Sequence, residues 1–541
     1  MSGVSEDAEP MLQRRKLLAI ALVVGCAPVS ACNMLTGADA LTIDDESTGS
    51  GGSGSGHHGT TTDTTSSSAG GGTTGGGGGV GTGGSTPEPD PTQDALGVSI
   101  THVSIYQGVK RPLMENGQKA QSSIPVVAGR RALFRIGTSA DGSYNGQPVT
   151  ARLYLGEAAA PLEVQGTAGG QVSDGNLGST LNIDVPGEAL AAGVDYRVEI
   201  VQPGTSTAPN PAAHWPATGF ESSGATYPGP SVKLMLVPVA YGADGSNRLP
   251  DTSPGMLTAY HDGMLANYPV PEVEVTVRSP FQWNQGISPG GSGWDTLLEA
   301  IGNLRQQDGA PSDVYYYGIF NPASSFGAFC GGGCVAGLGN IGGPQDDWSR
   351  AAIGLGYSGG EAVHTCVHEI GHTHGRYHSP CGGVAGADPG YPHPGAAIGT
   401  WGYDILTKQL YPPDQTADFM SYCDPSWVSD YTFQALFNRI KSVNGAQLVI
   451  PQDQLDLQYE RVRVDGDGNL SWMPTRTIHR PPFGEPKNVV LQAEGGGTET
   501  VTGQYFPYDH LPGGVLMWKK PAYFAPAVSI DLGGKIATIA H

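Results

Sequence analysis

Residues 368–378 read HEIGHTHGRYH, and no other stretch of the 541-residue chain constrains the fold as tightly. His368 and His372 are spaced i, i+4, which on an α-helix puts them on one face, a turn apart. Val363, Cys366, Val367 and Ile370 fall at i, i+3, i+4 and i+7. The same helix therefore has an apolar side to bury, and the two histidines point off it. Gly375 can take φ > 0 and end the helix. The chain can then turn back and deliver His378 to the first two. Three imidazoles at one point make a metal site with a fourth position left for water, as a catalytic zinc requires. Glu369, beside the first ligand, is placed to take that water's proton. His374 falls near Val363 and Val367 and reads as packing. His364, one turn before His368, reads as a surface or cleft histidine, with support of a ligand imidazole as its rival role.

The chain carries 28 basic and 50 acidic residues, a net charge of −22. That excludes a nucleic-acid surface, which needs clustered Lys and Arg. Its 83 glycines are about twice ordinary usage. They follow no Gly-X-Y period, and no apolar heptads are sustained, so collagen and coiled coil are excluded. Residues 49–84 hold 17 of them, mostly among Ser and Thr. Such a stretch buries too little apolar surface to offset its chain entropy, which predicts a disordered tether. Ahead of it, Arg14, Arg15 and Lys16 precede an apolar run, Leu17 to Val24, and then small residues. This reads as a signal peptide, too short to span a bilayer as a helix. Val29-Ser30-Ala31-Cys32 resembles the bacterial lipobox, which would make Cys32 the lipidated residue. Cys26 also fits, and a plain secretory signal is the rival reading. The expectation is an exported chain, at the cell surface, on the outer membrane or secreted. It would meet a membrane only through an N-terminal lipid.

Five spans follow from the changes in pattern. Residues 1–32 are the signal peptide with its lipobox, and 33–94 the Gly/Ser/Thr-rich tether. Residues 95–228 alternate apolar and polar in short runs, such as 98–105, 131–136, 149–155 and 196–200, separated by Gly and Pro turns. That predicts an immunoglobulin-like β-sandwich. Residues 229–445 mix strand-like runs (232–239, 273–277, 314–320) with helix-like ones (256–268, 294–306), which predicts an α/β layer. Residues 446–541 return to strands and turns and read as a small C-terminal β domain. Within it, Asp465 to Asn469 has the opening of a calcium loop but lacks the closing Glu, and reads as a hairpin turn.

Outside the leader, the five cysteines all lie in the 229–445 span. Export favours disulfides. The pairing expected is Cys330 with Cys334 and Cys381 with Cys423, leaving Cys366 buried and reduced, although sequence alone does not fix connectivity.

The extended H-E-x-x-H-x-x-G-x-x-H pattern resembles that of the metzincin zinc endopeptidases. Asp418-Phe419-Met420-Ser421-Tyr422-Cys423 is similar to their Met-turn, with Met420 as the structural methionine. The resemblance covers roughly residues 230–445 and implies one catalytic zinc held by His368, His372 and His378, with Glu369 as general base. It implies that Tyr422 lies near the zinc and stabilises the oxyanion, a buried structural tyrosine being the alternative. It also implies a substrate-pairing edge strand just before the zinc helix, for which residues 351–357 are the candidate. The plan of leader, sandwich and zinc domain is loosely similar to secreted bacterial metzincins that cleave mucin-type glycoproteins. The expected protein is thus an exported zinc endopeptidase, a monomer acting on polypeptides or glycoproteins and binding no nucleic acid. The rival is a surface adhesion protein with a vestigial zinc site.

Overall fold

The computed structural model describes residues 91–445 and 456–541. The expected signal peptide, lipidated cysteine and the tether through residue 90 lie outside the described residues, and Thr92–Asp94, expected as the end of the tether, instead form a strand paired with Asp195–Pro203. The described chain is rich in β-structure, with several separate sheets and few helices.

Residues 92–226 form two main antiparallel sheets. One is built on Val98–Tyr106 paired with Ala132–Ala140, the other on Val149–Leu155 paired with Asp195–Pro203. The alternation read in the sequence has its physical origin here. Val149, Ala151, Leu153 and Leu155 face one way, and all join the core enclosed by the two sheets.

The next layer positions the site. Strand β1 (Ser231–Tyr241) pairs in parallel with β2 (Glu272–Val277) and with β3 (Val314–Phe320). β3 pairs in parallel with β5 (Ala351–Leu355), and β4 (Gly337–Gly339) runs antiparallel along the outer edge of β5. Helices cover both faces, which is why β1 is apolar almost throughout. Val232, Leu234 and Leu236 pack on one side with α1 (Pro254–Asn267), α3 (Gly360–Thr373) and α4 (Asp430–Gly445). Val237, Val239 and Tyr241 join Leu297, Leu298 and Ile301 of α2 (Trp294–Gln307) on the other.

This layer corrects one expectation. Residues 351–355 are an interior strand, paired on both sides. The sheet edge nearest the metal motif is β4, whose Gly-Leu-Gly sequence is too short and glycine-rich to announce itself as a strand.

Residues 457–540 form a seven-stranded antiparallel sheet. The turn at 465–469 joins Leu457–Val464 to Leu470–Ile478 as a hairpin. Strands β6 (Thr498–Pro507) and β7 (Gly514–Lys519) are neighbours in it. Leu516 and Trp518 face one side of this sheet, and Val515 and Met517 the other. That second side packs against Trp348 of the preceding layer.

Cys330–Cys334 and Cys381–Cys423 are disulfide-bonded, and Cys366 is buried and unpaired. Disulfides persist in oxidising compartments. Among the described residues no helix is long and apolar enough to cross a membrane.

Candidate metal centre

Helix α3 carries His368, Glu369 and His372, all buried. It ends as its sequence dictates. Gly375 sits at φ +80°, and the amides of Gly375 and Arg376 close back onto the carbonyls of His372 and Gly371. The reversal has a local consequence, because the Arg376 carbonyl comes to lie 2.7 Å from Nδ1 of His372. It also returns His378, whose ring centroid lies 4.7 Å from that of His372 and 5.3 Å from that of His368.

All three histidines are anchored in one way. Nδ1 of His368 lies 2.8 Å from the Phe419 carbonyl, and Nδ1 of His378 lies 2.7 Å from that of Ala385. A carbonyl only accepts, so each Nδ1 carries the proton and each Nε2 presents a bare lone pair. The Nε2 atoms of His368 and His372 are 3.0 Å apart. Two bare lone pairs cannot bond each other at that distance, and a cation between them would relieve their repulsion. Protonating an imidazole instead is opposed by burial, which pushes all three histidines below their ordinary range, with the neighbouring imidazoles adding to the effect. The donor set therefore fits a metal ion.

The floor beneath is the 418–423 turn. Asp418 is fully buried and accepts from the amides of Met420 and Ser429 and from the Ser379 hydroxyl. This fixes the Phe419 carbonyl that holds His368. Met420 is fully buried under α3, where Gly371 leaves room for its sulfur. The Tyr422 hydroxyl lies 3.3 Å from Nε2 of His378. The Cys381–Cys423 disulfide joins this turn to the segment following His378. His364 bonds the Ser426 hydroxyl and no ligand imidazole. His374 stacks on Tyr315 and bonds the Ile370 carbonyl, the packing role expected of it.

Two residues that no sequence pattern singles out complete the site. Asp509 and His510 come from the connection between β6 and β7. One ring nitrogen of His510 joins those of His368, His372 and His378 in a group that all lie within 4.8 Å of one another. Nε2 of His510 is 2.9 Å from Glu369 Oε1, and its Nδ1 contacts the Tyr422 hydroxyl. Asp509 Oδ2 accepts from the Gly339 amide of β4 at 2.9 Å and lies 3.4 Å from Nε2 of His372. The Asp509 and Glu369 carboxyls face each other, one oxygen of each lying within 4.8 Å of the other and of ring nitrogens of His372 and His510. Burial pushes Glu369 up to about 8, opposed by the neighbouring Asp509 carboxyl. Burial, and next the Glu369 charge, push Asp509 far above the carboxylate range.

Nothing local marks these two residues. A short Pro- and Gly-flanked connection between strands predicts a turn but not where its tip lands. The sequence matches no protein-family model and no curated protein.

Proposed function

We propose that the chain is an exported zinc endopeptidase of metzincin type. The observation that carries this reading is the set of three Nδ1-anchored imidazoles presenting bare Nε2 lone pairs to one point beside a buried carboxyl, Glu369. An all-nitrogen, neutral donor set suits zinc better than a hard cation. Bound there by His368, His372 and His378, zinc would acidify a water and polarise a peptide carbonyl.

The rest of the chemistry belongs to the chain. Glu369 takes the water's proton on its carboxylate and hands it to the leaving amine. Burial raises its proton affinity, so it keeps the proton it has taken more readily than an exposed carboxylate would. The Tyr422 hydroxyl donates to the oxygen that gains charge as the carbonyl is attacked. Strand β4 is the sheet edge alongside the site, so its backbone amides and carbonyls can pair with an extended polypeptide. Glycine at 337 and 339 keeps that edge close to Glu369, because a Cβ at Gly337 would collide with the Glu369 carboxylate. The two disulfides are consistent with action outside a reducing cytosol.

The test is Glu369→Gln. This variant keeps the three imidazoles, so it is expected to hold one zinc per chain and to lose casein or mucin cleavage by at least a thousandfold. Retained cleavage would overturn the role of Glu369. Cleavage insensitive to a chelator would overturn the zinc reading altogether.

A further inference from the structure

We propose that the Tyr508-Asp509-His510 turn is a built-in plug that holds the metal centre latent. His510 stands in the fourth metal position, and Asp509 caps the general base. The proposal rests on the endopeptidase reading for what is being restrained.

Each working part of the centre is already engaged by this turn. The open side of the three-imidazole cluster faces the His510 ring, whose centroid lies 4.8 Å from that of His378 and 5.3 Å from that of His368. The Tyr422 hydroxyl contacts the same ring, and the two rings stack with centroids 5.5 Å apart. Glu369 is crowded from two sides: His510 Nε2 lies 2.9 Å from its Oε1, and a carboxylate oxygen of Asp509 lies within 4.8 Å of it. The Asp509 side chain is fully buried and that of His510 nearly so. Glu369 itself is buried beneath this turn.

The turn also takes the place of a bound strand. Tyr508 forms an antiparallel bridge with Asn340, the residue following β4. The amide of Gly339, on that same edge, donates to Asp509. Backbone pairing along the edge strand, with the next residues dipping into the metal centre, is the geometry an extended substrate would need. Here a segment of the same chain supplies it, at an effective concentration that a free peptide cannot match. Catalysis would need this turn to withdraw.

The experiment uses the full chain loaded with Co²⁺, whose visible spectrum reports on its ligands, and acetohydroxamate as a small chelating probe of the open position. The wild-type spectrum is expected to change little with the probe. In His510→Ala the probe should bind at least tenfold more tightly and shift the spectrum, and casein cleavage should rise at least tenfold. Equal probe affinity in wild type and His510→Ala would overturn the plug, whether or not any substrate is cut. Lower cleavage in His510→Ala than in an active wild type would also overturn it, by making His510 a working residue. Should His510→Ala fail to hold one Co²⁺, the titration on His510→Gln decides, because that variant keeps a polar side chain of similar size and the other three imidazoles while removing the fourth. Tighter probe binding there supports the plug, and unchanged binding overturns it. Probe access gained without any proteolysis would leave the plug standing and remove the endopeptidase reading in favour of adhesion.

Discussion

Gly371 shows how little slack the metal centre has at the scale of one residue. It faces the floor of the site between His368 and His372, and a Cβ there would strike the sulfur of Met420. Met420 cannot retreat, because its own amide is held by the buried Asp418 carboxylate at 2.8 Å. Gly371→Ala should therefore overpack the interface. The expected cost is about 1–3 kcal/mol of stability, the usual range for added core volume. Zinc affinity should fall as well, since Phe419, which anchors His368, sits on the same turn. Thermal melting of the metal-free and zinc-loaded chains checks this, with a larger loss expected in the loaded form. Met420→Leu, nearly volume-conserving, should cost less than about 1.5 kcal/mol. The methionine matters here for shape and not for coordination.

At the scale of elements, the site is one helix, one edge strand and three loops, and a disulfide ties two of the loops together. Cys381–Cys423 closes a separation of 42 residues. It joins the segment behind His378 to the turn carrying Met420 and Tyr422. Chain-entropy arguments assign a loop of that size a stabilisation of about 2–4 kcal/mol. Replacing both cysteines with serine should lower the melting temperature accordingly. It should also weaken zinc binding, because His378 and Tyr422 would no longer be held to a common frame. Removing Cys330–Cys334, which closes only four residues, should leave zinc affinity within twofold. Isothermal titration of zinc into the two double variants separates these outcomes.

The whole molecule depends on how the C-terminal sheet sits against the metal-bearing layer, since that contact delivers Asp509 and His510. Glu299 on α2 is held by Arg461 at 2.7 Å and by Arg476 at 3.1 Å, both guanidinium groups being buried. Burial alone would raise the Glu299 carboxyl, but Arg476 and then Arg461 outweigh it, so its pKa lies below the ordinary value. A depressed carboxylate contributes stability above the unfolded value, near 4.5, and loses it as pH falls through the folded one. Wild type should thus loosen at this seam below about pH 4. Glu299→Gln should remove most of that pH dependence and leave two buried guanidinium groups without a counter-charge. The expected cost is about 3–5 kcal/mol, read as a lower melting temperature at neutral pH. Faster hydrogen exchange along β6 and β7 should accompany it.

Much of the centre was legible in the sequence because its logic is local. The i, i+4 histidines, the glycine that reverses the chain and the returning His378 lie within eleven residues, so helical geometry nearly dictates their meeting. The Cys330–Cys334 pair was legible too, since those two cysteines are nearly adjacent, whereas the choice of Cys381 over Cys366 as partner of Cys423 was settled by the fold. Elements with strong periodicity, such as α2 and β3, lie where their patterns put them. The edge strand was misplaced onto residues 351–357, because which strand lies outermost is decided by pairing between distant segments. The brief Gly337–Gly339 strand has no pattern of its own. Asp509 and His510 were invisible for the same reason. Their role exists only where the C-terminal sheet docks, and that docking is decided by Glu299, Arg461, Arg476 and the apolar contact at Trp348. By itself the sequence determined which atoms could bind a metal. Only the tertiary structure decided that the chain's own turn occupies the position beside them, because long-range packing, unlike helical spacing, leaves no period to read.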